Sequence, residues 1–233
     1  MEKIYELNEN GNFIKWKTSS ENGNEKPTGT LINYISKKSK KIIIPEGVTK
    51  IEPYCFSLIE KDGEFEYVHS NVETIVIPSS VSEILDGAFG CVDVKVLVDS
   101  NNENYCVENG LLLTKDKTAV IYCSRESEVY SCKVPNTVTK ISSDSFSCSV
   151  IDVVLPDSIL EIPEDAFNLH SGTVFIPKAV KKINAKAFGD LKEKRKGAIR
   201  RYNMPIIQSV IKTPKNSVAH KFCKKHKLPF VIM

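Results

Sequence analysis

Apolar positions in this chain fall in short alternating bursts, each closed by a proline, rather than in long helical stripes. The stretch KKIIIPEGVTKIEPYCF at residues 40–56 shows the pattern: Ile42-Ile43-Ile44, then Pro45, then a sparser set at Val48, Ile51 and Phe56. Neighbouring side chains of a strand point to opposite faces, so Ile42 and Ile44 share one face and Ile43 the other. Proline fixes its own backbone and has no N–H to donate, so Pro45 ends the strand. Two of the three isoleucines suit a core, and the middle one points away from it.

The same arrangement returns along the chain. IIIPEGVTKIEPYCF (42–56) matches IVIPSSVSEILDGAF (75–89), CKVPNTVTKISSDSF (132–146), VVLPDSILEIPEDAF (153–167) and VFIPKAVKKINAKAF (174–188). In each, the proline precedes a β-branched residue by three, an isoleucine by six and a phenylalanine by eleven. Pro45, Pro78, Pro135, Pro156 and Pro177 are 33, 57, 21 and 21 residues apart, so the unit is 21 residues with insertions in the first two gaps. A unit this short cannot bury its own apolar face, and copies must stack, each adding a strand about 4.8 Å from the last. The expected coil has a strand before the proline, a change of direction at the Val-x-x-Ile step, and an Ala-Phe anchor in the core on the convex side.

This pattern, Ile-x-Ile-Pro-x-x-Val-x-x-Ile-x-x-x-Ala-Phe, resembles the BspA-type, or Treponema pallidum-type, leucine-rich repeat over roughly residues 31–233. The resemblance implies a right-handed leucine-rich-repeat solenoid, α/β or mostly β, with five recognisable repeats of about 21 residues. Tyr105 to Leu113, with Lys115 to Thr118 and Val120 to Tyr122, is similar to a hairpin-forming insertion common in that family. Ser217 to His226 reads as a capping helix and Pro229 to Ile232 as a last strand. No asparagine recurs at a fixed column, so an asparagine ladder is not expected. Family members are often cell-surface adhesion or host-interaction proteins, a role that would need an export signal.

The first thirty residues lie outside the repeat. Ile4 to Leu7 and Phe13 to Trp16 flank Asn10-Gly11, a strong hairpin signal, and Ser19 to Pro27 reads as a polar loop. The expected organisation is a hairpin cap and loop at 1–30, covering the open end of the solenoid; the solenoid at 31–200, with a hairpin insertion at about 101–130; and a helix-strand cap at 201–233.

Composition changes this picture little and charge changes it more. With 41% hydrophobic and 26% charged residues the 233-residue chain is globular. Its start has no basic segment followed by an apolar run, and no stretch approaches the roughly 18 apolar residues of a membrane span. As given, the expectation is a cytoplasmic chain, or a cell-surface one if an export signal has been removed. Residues 178–233 hold 16 Lys/Arg against 2 Asp/Glu, a charge of +14, while residues 1–177 hold 16 against 27, or −11.

Seven cysteines invite a metal or disulfide reading, but the repeat columns absorb four of them. Cys55 and Cys132 stand where other copies carry Ala or Ser and Ile or Val; Cys91 and Cys148 sit two residues after the anchor Phe. Buried free cysteine packs as a small hydrophobe, and an odd count without regular spacing fits a reducing compartment. Cys106 and Cys123 are the pair to test for bridging. His220, Cys223 and His226 follow at three-residue spacing, yet about 240° separates the two histidines around a helix, which disfavours a metal site. His69 and His170 have no local partner that suggests catalysis. Phosphate-loop, nucleophile-elbow, His-Glu-x-x-His and calcium-loop motifs are absent, so no catalytic residue, cofactor or metal is expected and the chain is read as a non-enzyme.

Two binding surfaces remain. Two residues before the proline the copies read Ile43, Val76, Lys133, Val154 and Phe175, four of them apolar in a column expected to face outward. Stacked, they form either a stripe of the sort that binds another protein or a column that only supplies β-propensity or lies under an insertion. The alternative is anion binding, to nucleic acid or an acidic membrane, through Lys192, Lys194, Arg195, Lys196, Arg200, Arg201, Lys221, Lys224, Lys225 and Lys227. A charged end that keeps a solenoid soluble is the favoured account of those lysines and arginines, since no aromatic residues are interleaved as stacking platforms.

Overall fold

The computed structural model describes residues 3–9, 12–18, 29–61, 64–67, 71–90, 92–124, 131–147, 151–168, 170–189 and 209–233. The chain divides into two compact units, Met1–Asp116 and Lys117–Met233.

The first unit runs β1 (Lys3–Glu9), β2 (Asn12–Thr18), β3 (Gly29–Ser36), β4 (Lys41–Ile43), β5 (Val48–Ile51), β6 (Leu58–Lys61), β7 (Glu64–Tyr67), β8 (Thr74–Ile77), β9 (Glu83–Ile84), β10 (Lys95–Val98), β11 (Tyr105–Glu108) and β12 (Leu111–Thr114). Strands β4, β8 and β10, the pre-proline strands, lie parallel in register, with Ile42 beside Ile75 beside Val96. Those three side chains and Ile44 and Ile77 are buried, as strand parity requires.

The Val-x-x-Ile step, expected only to turn the chain, forms a second parallel ladder instead. β5 pairs with β9, Ile51 beside Ile84. The proline sets this up: the N–H of Val48 donates to the Pro45 carbonyl at 3.3 Å and that of Val81 to Pro78 at 3.5 Å, a tight turn that brings the β-branched residue inward.

The amino-terminal hairpin joins this second ladder. β1 and β2 are antiparallel, with Glu9 opposite Asn12; β2 pairs with β3, and β3 lies parallel to β5. The Asn10-Gly11 turn lies outside the described residues. Among the described residues β4 pairs with β8, while the hairpin, through β3, extends the second ladder. Gly29 allows the entry to β3: its φ is +69° and an added Cβ would come within 2.7 Å of the Lys17 carbonyl oxygen.

The insertion is a hairpin of β11 and β12, turning at Asn109 and Gly110 with φ of 50° and 75°, the two positive values a type I′ turn demands. Buried Asn102 fixes it to the preceding coil. Its Nδ2 donates to the Pro78 and Val81 carbonyls at 2.8 and 2.9 Å, and its Oδ1 accepts from the Asn104 and Tyr105 N–H groups at 2.9 and 2.8 Å.

The second unit runs β13 (Ala119–Cys123), β14 (Ser131–Lys133), β15 (Lys140–Ile141), β16 (Asp152–Val154), β17 (Glu161–Ile162), β18 (Thr173–Phe175), β19 (Lys182–Ile183), β20 (Val210–Thr213), α1 (Val218–His226) and β21 (Phe230–Ile232). Strands β14, β16, β18, β20 and β21 form one sheet of parallel neighbours. Its inward column is Cys132, Val153, Val174 and Ile211, all buried. The proline turns repeat, with Val138, Ile159 and Val180 donating to Pro135, Pro156 and Pro177 at 3.1, 3.1 and 3.4 Å.

The anchor phenylalanines stack. Phe56 and Phe89 lie 5.4 Å apart in the first unit; Phe146, Phe167 and Phe188 follow at 5.2 and 5.3 Å in the second, and Phe222 of α1 extends the stack at 6.2 Å. Two residues before the anchor the chain turns through positive φ at Tyr54, Gly87, Asp144 and Asp165. Ser217 caps α1, its Oγ accepting from the His220 N–H at 3.0 Å, and Lys227 ends it in the left-handed region.

Candidate functional site: the outward columns

Strand parity leaves two outward columns on each parallel sheet. In the first unit one column is Ile43, Val76 and Leu97, adjacent in register. Ile43 is 58% exposed and Leu97 39%, with Val76 half-buried between them. The companion column is Lys41, Thr74 and Lys95, so an aliphatic row runs beside a basic one.

In the second unit the equivalent column is Lys133, Val154, Phe175, Lys212 and Val231. Val154 and Phe175 are half-buried; Lys133 is exposed, as is Val231 at 48%. The Lys212 Nζ lies over the Phe175 ring, 4.8 Å from its centroid, where the ring's negative face attracts the ammonium. Beside it runs a column of Ser131, Asp152 and Thr173, polar until it reaches Val210, and tied by the Thr173 N–H donating to Asp152 Oδ1 at 2.8 Å.

The sequence pointed to Ile43, Val76, Lys133, Val154 and Phe175; the structure places the first two in one unit's outward column and the last three in the other's. It adds Leu97, Lys212 and Val231. Leu97 escaped because Asp99 stands where a proline marks other coils, although Val96-Leu97-Val98 repeats the apolar triplet of Ile42 to Ile44. Lys212 was within reach, since Ile211-Lys212-Thr213-Pro214 carries the pre-proline signature. Val231 falls in the last strand that Pro229 to Ile232 marks, but no following proline fixes its register with the column.

Of the ten basic candidates, Lys221, Lys224, Lys225 and Lys227 are described and exposed, on α1 and at its carboxyl end. Lys192, Lys194, Arg195, Lys196, Arg200 and Arg201 lie outside the described residues, as do Cys91, Cys148 and His69. The His220, Cys223, His226 triplet is absorbed by packing: His220 sits 5.1 Å from the Phe230 ring, His226 4.4 Å from Phe222, and Cys223 is fully buried, which pushes its thiol up to about 11. Among the described residues no three His, Cys, Asp or Glu side chains cluster as metal ligands, and no helix is long and apolar enough to cross a membrane.

His170 is a buried tie between loops. Its Nε2–H donates to the Ile151 carbonyl at 2.9 Å, which leaves Nδ1 as the acceptor 2.8 Å from the Ser209 hydroxyl. Burial drives its pKa down to about 4, against smaller opposing effects of the Ile151 bond and nearby Asp152. Cys55, in the anchor column, is fully buried and its thiol is raised by that burial. Cys106 and Cys123, the pair singled out for bridging, are half-buried thiols rather than a disulfide, and Cys106 Sγ meets the Thr114 carbonyl at 3.7 Å.

Stacked parallel strands, proline turns and a phenylalanine ladder define a leucine-rich-repeat β-solenoid. The BspA type leucine rich repeat region matches the chain in six copies over residues 32–109 and 120–207, one more than the proline columns mark, and the chain belongs to that family. Similar solved structures include a leucine-rich repeat protein from Eubacterium ventriosum, 26% identical over 61% of this chain with a TM-score of 0.49. The pneumococcal vaccine antigen PcpA is 15% identical over 83% of the chain and 68% of its own, with a TM-score of 0.41. A leucine rich cell surface protein from Faecalibacterium prausnitzii is 18% identical over 79% of the chain and 62% of its own, with a TM-score of 0.40. The chain spans 37% of the length of the first. No curated protein matches the sequence significantly.

Proposed function

We propose that the protein is a non-enzymatic binding module whose outward sheet columns contact another protein. The observation that carries this is the in-register row Ile43, Val76 and Leu97, exposed at both ends and half-buried at Val76, in a place where strand parity offers these side chains no core. Exposed aliphatic rows on a rigid sheet mark interaction surfaces, because burying them against a partner releases about 25 cal/mol per Å² of apolar area. Lys41 and Lys95 beside the first column, and Lys133 and Lys212 within the second, give the partner's chemistry: apolar side chains with carboxylates next to them. Immobilised chain should capture such a partner, and Val154→Glu with Phe175→Glu should abolish capture from the second unit's face while leaving the unfolding midpoint in place. Capture that survives those substitutions and Ile43→Glu with Leu97→Glu would refute the reading.

A second reading rests on Lys221, Lys224 and Lys225, which share one exposed face of α1 at i, i+3 and i+4. Such a face suits phosphates. Its mark would be retention on heparin or DNA that falls steeply between low and physiological salt. Against it stands a simpler role: cations in the last helical turn stabilise the helix dipole.

A further inference from the structure

The outer edge of β21 differs from that of β4. In a parallel sheet alternate residues of a strand turn their N–H and C=O groups to one neighbour, and the residues between turn theirs to the other side. On β21 the Pro229 carbonyl accepts from the Ile211 N–H at 3.1 Å and the Met233 N–H donates to the Thr213 carbonyl at 3.2 Å, so 229, 231 and 233 face β20. Phe230 and Ile232 therefore turn both main-chain groups the other way, and among the described residues β21 pairs with β20 alone. On β4, Lys41 faces away from β8 in the same manner, but the Ser39 hydroxyl closes it, donating to its carbonyl at 2.6 Å and accepting from its N–H at 3.1 Å. Among the described residues no side chain does this for Phe230 or Ile232.

The surroundings of that edge are apolar and basic. Val231 is 48% and Ile232 40% exposed on a strand without a charged residue, whereas natural sheets commonly blunt an edge with charge. Residues 209–233 hold six lysines and no Asp or Glu. Lys227 stands three residues before Phe230, and exposed Lys215 two residues after Thr213, which holds the far end of β21. Lys224 shares with His220, at i and i+4, the face of α1 that packs on the Phe230 ring.

We infer that the β21 edge is a docking site for an extended acidic segment of another protein, which joins the sheet as its next strand. Its apolar side chains cover Phe230 and Ile232, and its carboxylates meet Lys215, Lys224 and Lys227. Main-chain bonds give such strand addition its affinity, and the lysines select the sign of the partner. A second copy presenting the same edge would set like charges against each other. This site uses the strand's edge, not the outward columns, and stands even if those columns bind nothing.

The test titrates the full chain with an end-blocked peptide alternating valine and glutamate and follows amide exchange residue by residue. The expected result is protection of the Phe230 and Ile232 amides, with binding that weakens as salt rises. Ile232→Pro removes an N–H that β20 does not use, and should weaken binding about tenfold at an unchanged thermal midpoint. If that variant is itself destabilised, a peptide with N-methylated amides puts the same bonds to the wild-type chain and should bind about tenfold more weakly. Lys224→Glu with Lys227→Glu should weaken binding with the edge intact. Protection elsewhere in the chain, equal binding of a serine–glutamate peptide, a dimer that Ile232→Pro disrupts, or no binding at all would each overturn the inference.

Discussion

Phe167 and Phe175 stand eight residues apart in the second unit and have opposite fates. Phe167 is 1% exposed, stacked between Phe146 and Phe188 and met edge-on by His170. Phe175 is half-buried on the outward side of β18, with the Lys212 ammonium over its ring. Both belong to columns that are mostly apolar. Position relative to the proline decides which column is core: strand parity turns Phe175, two before Pro177, outward, while Phe167, eleven after Pro156, lies in the turn that carries the anchor ring inward.

The contrast breaks first at the stack. Phe167→Ala should cost about 3–5 kcal/mol, read as a lower denaturant midpoint at unchanged slope, because the rings on both sides lose their partner. Phe175→Ala should cost far less, and equal losses would show that both rings are core. Next comes pH. The His170 pKa lies near 4 in the folded chain against about 6.5 unfolded, so the unfolded chain binds the extra proton first. The stability linked to neutral His170 is therefore fully present above about pH 6.5 and is lost as pH falls toward 4, by about 3 kcal/mol. His170→Gln should flatten urea midpoints measured across that window.

A third test concerns the backbone beside His170. A Cβ at Gly172 would drive into the Ile151 carbonyl, the same group that His170 holds. Gly172→Ala should cost about 1–3 kcal/mol, seen as a lower thermal midpoint. Smallest of all are changes on the outward face: Ile43→Lys and Leu97→Lys should each move stability by no more than about 0.5 kcal/mol.

Much of this was legible because the repeat carries its own parity marker. Five prolines located the strands, the inward columns, the anchor phenylalanines and the outward residues Ile43, Val76, Lys133, Val154 and Phe175. Coils without the marker were lost: Asp99 in place of proline hid the β10 coil, and with it Leu97. The second ladder was hidden for a different reason. β9, β15, β17 and β19 are two residues each, too short for alternation to register, and their pairing depends on stacking neighbours that are distant in sequence.

The central claim is that the outward columns serve binding and not the core. Its most direct measurement compares the chain with a variant carrying Ile43→Glu, Leu97→Glu, Val154→Glu and Phe175→Glu for retention of the partner captured by the wild type, alongside denaturant midpoints for both. The account predicts that retention is lost and the midpoint stays within about 0.5 kcal/mol per substitution. Retention that persists, or a loss that coincides with unfolding, would contradict it.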